Sequence, residues 1–582
     1  MQKKLLFTAT ITALGLLFAF RYLPKSSNYS LQFISREQAF KNKWTVQCSP
    51  DWSHINSDSL ANGISILKGW GNYQWNITSK KDSARLYFQQ GINMYYSFHI
   101  IEAMASFKKA EQFDDNNAMI YWAQALAYGP NINDFAYSFT PGAFAAAQKA
   151  SFLSSSCTAK EKALIKAMSM RYVADSTTGR ASLNQVYAEK MQEAYKQFPN
   201  DADIAALYAD ALMLQHPWEY WKHTGEAQPW TARIIEVLEK GLQQSPLHPG
   251  LNHYYIHTVE ASGNPKRALA SANRLSQLMP SVSHMVHMPS HIYIRSGLYK
   301  EGIKVNEMSI SGYKQYLAAY PEVANNAPLY LIHNLHMQTA CALMGTGYNY
   351  SSKSADACRA SFDTSFMSFP APFGCFIQYV YMTPVLNNVR FGKWETILAS
   401  PGIPDSYVYA NVLDHWARGI ALAAKNNLDG AKKELRLMRE KIDHPDMLVV
   451  LQPFNSPADA AKVAEKMLEG VIAEHENKLP AAINLFAAAV KQETSMIYNE
   501  PKDWLLPANE WLGAALLKAG LFAKAENVFK EDLLENPNNH WSLNGLYESL
   551  QKQKKYREAI TIKKQLDKTI ASDEMKVLPI VF

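Results

Sequence analysis

Histidine is concentrated in one stretch of the chain. Ten of the 16 histidines lie within residues 216–336, far more than an even spread over 582 residues would place there. His253 and His257 are four residues apart, and so are His287 and His291, which puts each pair on one face of a helix. Imidazole nitrogens are common ligands for zinc, copper and iron. The spacing therefore predicts a site for a transition metal (zinc, copper or iron).

The two histidine pairs belong to segments that repeat. HYYIHTVEASGN begins at His253 and HMPSHIYIRSGL begins at His287, and the two align without a gap, so that His257 matches His291. Glu260 follows His257 by three residues and adds a carboxylate to the same helical face. The predicted metal ligands are His253, His257, Glu260, His287 and His291.

Further residues are candidates for extra ligands, for hydrogen bonds to the ligands, or for contact with a bound molecule. They are His284, His333, His336, Asp210 and Arg295. An ion with an open position would activate water or oxygen, with His333 or Glu260 as the proton acceptor. Arg295 would hold an anionic group of a substrate. No residue is assigned a catalytic role, and whether the protein is an enzyme stays open.

Two other interpretations of the histidines stay open beside the metal site. The same side chains could line a groove that binds a protein, a peptide or a small molecule without any ion. They could also form a buried polar ladder that only supports the fold, as most isolated buried histidines do. The sequence alone does not decide among the three.

The elements that carry these residues follow a helical repeat. Near one end of the chain Gly91 precedes Ala103 and Phe107, and near the other end Gly513 precedes Ala525 and Phe529 with the same spacing. These spacings resemble the tetratricopeptide repeat, in which small residues let two antiparallel helices approach closely. The resemblance implies an all-α fold, a superhelical solenoid of tetratricopeptide-type helical hairpins with inserted loops.

The resemblance also implies where the histidines point. If Pro280 closes one repeat, His253, His257, His287 and His291 fall at first-helix positions that line the concave groove of such arrays, the surface used for ligands. Neighbouring helix axes are about 8 to 10 Å apart, so imidazoles from adjacent repeats can converge on one ion.

The repeat pattern predicts the domain organisation. Residues 1–25 form a signal anchor or signal peptide, and residues 26–80 form an N-terminal segment without repeats. An N-terminal array that carries the histidines spans 81–400, and a C-terminal array spans 401–582.

The chain further resembles a little-characterised group of bacterial tetratricopeptide repeat proteins that are often predicted to be exported and that carry HxxxHxxE and HMPSH motifs. That resemblance implies the fold and the location of the site, and no reaction. The segments that carry it include YWAQALAYGPNIN (121–133), LYADALMLQHPWEYW (207–221), HMPSHIYIRSGLY (287–299), YLIHNLHM (330–337) and HWARGIALA (415–423).

The amino terminus has the layout of a targeting signal. Two lysines precede an uncharged apolar run from Leu5 to Phe20, and Arg21 and Lys25 follow it. We expect an exported protein that an uncleaved anchor holds at the membrane, facing the periplasm or cell exterior. If the signal is cleaved, the protein is instead secreted to the periplasm.

Composition excludes several classes. The net charge of +6 is not gathered into a basic run, so we expect no nucleic-acid partner. The five cysteines form no CxxC pair, which excludes a zinc ribbon or a dense disulfide scaffold.

Overall fold

A computed structural model describes residues 50–581. The description leaves out residues 51, 53–54, 135–136, 138–139, 176–177, 320–327, 451–452, 571–574 and 576–578. The predicted signal segment, 1–25, lies outside the described residues, as does most of the predicted non-repeat segment. In the part described, no helix is long and apolar enough to cross a membrane.

The described chain is a succession of α-helices, with a single isolated β-bridge between Trp221 and Ala227. The first helices are α1 (Ser57–Gly63), α2 (Asp82–Tyr96), α3 (Ile100–Phe113), α4 (Ala118–Ala127), α5 (Pro141–Phe152), α6 (Ala159–Ser169), α7 (Arg180–Gln197), α8 (Ala202–Met213) and α9 (Thr231–Gln244). The middle helices are α10 (Pro249–Val259), α11 (Leu269–Leu278), α12 (Ser283–His287), α13 (Pro289–Arg295), α14 (Tyr299–Ala319), α15 (Pro328–Gly345), α16 (Tyr348–Arg359), α17 (Phe373–Tyr381) and α18 (Thr383–Arg390). The last helices are α19 (Trp394–Ala399), α20 (Val408–Ala424), α21 (Leu428–Ile442), α22 (Pro457–His475), α23 (Leu479–Ser495), α24 (Ala508–Lys518), α25 (Phe522–Glu535), α26 (His540–Lys552) and α27 (Tyr556–Thr569).

Consecutive helices pair as hairpins through the contacts that the repeat spacing predicts. A Cβ placed on Gly91 of α2 would come within 2.3 Å of the Phe107 ring of α3, and one on Gly513 of α24 within 2.4 Å of the Phe529 ring of α25. Both distances are shorter than a carbon–carbon contact permits, so only glycine lets these helices lie so close. The prediction of an all-α solenoid of helical hairpins is confirmed.

Two apolar cores follow each other along the solenoid. One joins buried side chains from Leu67 to Tyr316, and the other joins side chains from Ile310 to Ile580. Trp75, from the stretch before the first hairpin, packs on Phe88 and Trp122 and so belongs to the first core. The domain boundaries at 80 and 400 stay predictions.

The C-terminal hairpins reach back to the middle of the chain. Arg295 at the end of α13 pairs with Glu535 at the end of α25, with 2.8 Å between the guanidinium and the carboxylate. Tyr299 donates a hydrogen bond to the carbonyl of Pro537 (2.9 Å). A Cβ on Gly297 would lie 2.0 Å from that same carbonyl oxygen. The solenoid therefore closes on itself here, and we call these contacts the clasp.

Candidate metal centre

Helix α10 holds the first two histidines against the end of α2. Pro249 occupies the first turn of α10, where its missing N–H costs nothing. Gly250 sits on the Tyr96 ring, which a Cβ would approach to 2.5 Å. This close approach lets Nδ1 of His253 reach the backbone carbonyl of Tyr96 at 2.7 Å. One turn later on the same face, His257 lies beside it.

A proline break splits the next repeat's first helix. Pro289 has no N–H to continue the hydrogen-bond ladder of α12, so α12 ends at His287 and α13 begins after Met288. His284 and His287 lie on α12, and His291 lies on α13, so this short stretch carries three imidazoles. All three are buried.

The histidines gather into two groups of three. In the first triad, His253 Nε2 lies 3.1 Å from both His257 Nε2 and His284 Nε2. In the second triad, His291 Nε2 lies 2.8 Å from Nε2 of His287 and 3.5 Å from Nε2 of a third histidine on α15. Within each triad the three ligand atoms lie within 4.8 Å of one another. The first triad is His253, His257 and His284, and the second is His287, His291 and His333.

Glu260 stands between the two triads. One carboxylate oxygen lies 3.4 Å from Nδ1 of His257 in the first triad. The other lies 2.5 Å from Nδ1 of His291 in the second, close enough for an ion pair although off the direction of a regular hydrogen bond. Burial would raise the pKa of Glu260, but the neighbouring His291 and His257 rings outweigh it and hold the pKa at about 2. Glu260 is therefore an ionised acceptor shared by both triads.

Partners on Nδ1 fix the tautomers of the rings. Carbonyl, carboxylate and amide oxygens only accept hydrogen bonds, so an Nδ1 that faces one of them carries the hydrogen. His253 faces the carbonyl of Tyr96, and His257 and His291 face Glu260. His287 faces the amide oxygen of Asn306 at 2.6 Å, and the amide nitrogen of Asn306 is turned away toward the carbonyl of Gly302. In the neutral rings, Nε2 then carries only a lone pair.

The surroundings favour neutral imidazoles. Burial lowers the pKa of His253, His284, His287 and His333 well below the usual value, and it lowers the pKa of His257 as well. Neighbouring imidazoles lower these values further, because two positive charges would repel each other at this range. In the first triad the lone pairs on Nε2 of His253 and His257 therefore face each other at 3.1 Å.

The nitrogen separations fit coordination of one ion by each triad. Nitrogens bound at about 2.0–2.1 Å and separated by a tetrahedral angle lie about 3.3 Å apart. The four Nε2 separations given above run from 2.8 to 3.5 Å, and all the ligand atoms of a triad lie within 4.8 Å of one another. Each ion would keep a position for water or another molecule, since three protein ligands leave a tetrahedral site open.

The arrangement comes from consecutive hairpins of one repeat. The first triad joins α10 to α12, the first helices of neighbouring hairpins, and the second joins α12 and α13 to α15 of the next. The protein has a tetratricopeptide-type repeat fold.

No protein-family model and no curated protein matches the sequence. Solved structures of similar helical order include Ypp1, at 9% identity over 83% of this chain and 81% of that chain, with a TM-score of 0.41. Yeast Tom70 is 12% identical over 84% of this chain and 93% of that chain, with a TM-score of 0.24. The human IFIT1 dimer with m7Gppp-AAAA is 11% identical over 90% and 96%, with a TM-score of 0.30. Similarity at this level does not indicate what this tetratricopeptide-type protein binds.

Four of the predicted site residues belong to neither triad. Glu260, predicted as a ligand, stands between the triads, and the other three lie apart from both. Asp210 accepts a hydrogen bond from Tyr95 at 3.1 Å in a separate buried network, where burial, partly offset by the charge of Arg171, raises its pKa to about 6. His336 is buried beside aromatic rings, and burial lowers its pKa to about 3. Arg295 is engaged in the clasp.

A cavity of about 200 Å³ opens onto the two triads. His257 and His284 of the first triad line it, as do His291 and His333 of the second. Its other walls come from residues that the histidine spacing did not indicate. Besides Ala261 they are aromatic and polar side chains from five separate parts of the chain: Asn133, Trp218, Tyr220, Tyr330, Phe454, Tyr498, Asn499 and Glu500.

Phe98 is another site residue that sequence reasoning missed. It links α2 to α3 with a φ of 59°, a conformation that bulky residues rarely adopt. Its ring lies 4.6 Å from that of His253 and stacks on His257 and His284, with 5.8 and 5.9 Å between ring centroids. The unusual backbone thus places an apolar cover over the first triad. No sequence pattern predicts a single residue of this kind.

Proposed function

We propose that the protein binds transition-metal ions, one in each histidine triad. The opposed lone pairs carry this proposal. Two neutral imidazoles cannot hydrogen-bond through Nε2 when both hydrogens are on Nδ1, and a cation between them converts the repulsion into coordination. Glu260, Asn306 and the carbonyl of Tyr96 then act as the outer partners that orient metal-bound histidines in known sites.

The interpretation as purely structural histidines fits this arrangement less well. A buried histidine that only supports a fold hydrogen-bonds through its nitrogens to groups of opposite character. Here Nε2 of His253 meets two other imidazole nitrogens at 3.1 Å and Nδ1 of His284 has no hydrogen-bond partner among the described residues. A proton shared between the rings is disfavoured, because burial lowers the pKa of these histidines.

Peptide capture in this part of the groove is the second candidate, since helical solenoids present extended concave surfaces for binding. The segment between α8 and α9, residues 214–230, opposes it. Trp218 packs on His257, with 5.0 Å between ring centroids, and on Phe454 at 5.9 Å. Trp221 donates a hydrogen bond to the carbonyl of Thr258 at 2.6 Å. A peptide would have to displace these side chains to reach the histidines.

Ligand chemistry narrows the choice of metal. Mononuclear non-haem iron sites usually add a carboxylate to two histidines, whereas each triad here supplies only imidazoles. All-imidazole sets suit zinc and copper. Cys341 belongs to neither triad and packs with Ile303 and Ala342, so it adds no thiolate. We propose zinc or copper ahead of iron, and we leave the reaction unassigned.

Metal analysis of the full chain, purified without a histidine tag, tests the proposal. We expect about two equivalents of one transition metal, one per triad. The matched control is the double variant His257→Ala, His291→Ala, which removes one ligand from each triad and should lose both ions. Less than about a tenth of an equivalent in the unaltered protein, after incubation with zinc or copper, would contradict the proposal.

The proposal extends to location. An exported protein would meet zinc and copper outside the cytoplasm, which is consistent with the signal layout of residues 1–25. Cell fractionation with an antibody to the repeat region tests this, and recovery of the whole protein in the cytosolic fraction would contradict it.

A further inference from the structure

The cavity beside the triads has the size of a small-molecule pocket. Its volume is about 200 Å³. An apolar cavity of about 150 Å³ in another protein is large enough to hold benzene. There is therefore room for one substituted six-membered ring, and none for an extended peptide.

Aromatic side chains form much of the cavity wall beside the histidines. Trp218 and Phe454 contact each other, with 5.9 Å between ring centroids. Tyr330 lies against His284 of the first triad, with 5.0 Å between ring centroids. Such surfaces bind flat apolar molecules by stacked and edge-to-face contacts. The wall therefore favours an aromatic ligand over an aliphatic or strongly polar one.

Oxygen atoms without partners also line the cavity. Asn133 Oδ1, Tyr498 Oη and Glu500 Oε1 are buried, and none has a hydrogen-bond partner among the described residues. A buried polar atom without a partner costs about 1–3 kcal/mol, so native proteins rarely keep one without a reason. All three atoms can accept a hydrogen bond. A ligand that donates a hydrogen bond would satisfy one of them.

We propose that this cavity is the substrate pocket of the metal centre and that it takes a small aromatic molecule carrying a hydroxyl or amino group. The ring lies in the cavity that these aromatic side chains and the histidines line together, and the hydroxyl or amino group donates to Glu500 or Asn133. This rests on the proposed function, because the histidines that form the floor are the proposed metal ligands.

Two probes test the pocket by titration calorimetry on the full, metal-bearing chain. They are 4-methylphenol, which has the donor, and toluene, which has nearly the same shape without it. We expect 4-methylphenol to bind at least about tenfold more tightly than toluene. Glu500→Leu removes both carboxyl oxygens and should reduce or abolish that preference while toluene binding stays the same. Ala261→Leu projects into the cavity and should weaken both probes.

The metal content of the same samples separates the two proposals. Two equivalents of metal with no binding of either probe would overturn the pocket and leave the metal centre standing. Equal binding of the two probes, unchanged in Glu500→Leu, would overturn the role of the hydrogen-bond acceptors. Binding of both probes that Ala261→Leu leaves unaffected would place them elsewhere and overturn the proposed site.

Discussion

The two triads differ in what holds them. The first is fully buried under Phe98, and the main chain fixes it through the carbonyl of Tyr96. The second is oriented by the side chain of Asn306, and its His333 is only half-buried. A main-chain carbonyl between two packed helices has little freedom, whereas a side-chain amide can rotate. The first triad is the more preorganised of the two, and the second is the more open to solvent and to exchange.

The largest expected effect is loss of one ion when a ligand is removed. His257→Ala takes one imidazole from the first triad and should halve the metal content, leaving the second triad occupied. His336→Ala is the matched control, since this buried histidine belongs to neither triad. Metal analysis of both variants checks the prediction. If His257→Ala empties both triads, the two act as one cluster and the comparison between them fails.

Glu260→Gln should weaken both triads at once. The carboxylate faces His257 in one and His291 in the other, and loss of such an outer partner typically costs about 10- to 100-fold in metal affinity. Competition with a chelator of known affinity measures it. A loss confined to one triad would show that Glu260 is not a shared partner.

Asn306→Ala should weaken the second triad alone, by about tenfold, because the hydrogen on Nδ1 of His287 loses its acceptor. When a chelator is added in steps, one equivalent of metal should leave the variant at a lower chelator concentration than in the unaltered protein. The other equivalent should leave at the same concentration in both. Equal weakening of both triads would mean that the Asn306 side chain does not support the second triad alone.

The last prediction concerns His336 and acid. Burial lowers its pKa to about 3 in the folded chain, while in the unfolded chain it stays near its usual value of about 6.5. Because the unfolded chain binds the proton first, stability falls as the pH drops from about 6.5 toward 3, by about 1.4 kcal/mol per pH unit for this one group.

His336→Leu should remove this contribution to the acid sensitivity without changing the metal content. Urea unfolding of the metal-free protein at several pH values between 4 and 7 would show the shallower dependence. If the free energy of unfolding depends on pH equally steeply in the variant and in the unaltered protein, the lowered pKa of His336 in the folded chain is contradicted.

The spacing of the histidines predicted that they share one region, and the structure places six of them together. It did not predict the division into two triads. Alignment of the two repeated segments pairs His253 with His287, whereas His253 instead meets His284. The reason is the break at Pro289, which ends α12 at His287 and places His291 on the separate helix α13. His287 and His291 then lie beside each other and beside His333 on α15.

The cavity walls were outside the reach of sequence reasoning for a different reason. Trp218, Phe454 and Glu500 are far apart along the chain and lie outside the regular helices. Their meeting depends on how the solenoid curves, and curvature accumulates from small rotations at every repeat. The periodicity of residues along one helix does not indicate the total curvature of the solenoid.

The clasp between residues 295–299 and 535–538 bears on how the whole molecule unfolds. In an open repeat array each unit touches only its neighbours, so the ends can fray while the middle persists. Here Arg295 and Tyr299 tie units that lie 240 and 238 residues apart in sequence. Removing the final hairpins would therefore loosen the packing around Arg295 and Tyr299. Truncation from the carboxyl end should weaken the packing beside the histidines even when every helix that carries a histidine ligand is still present.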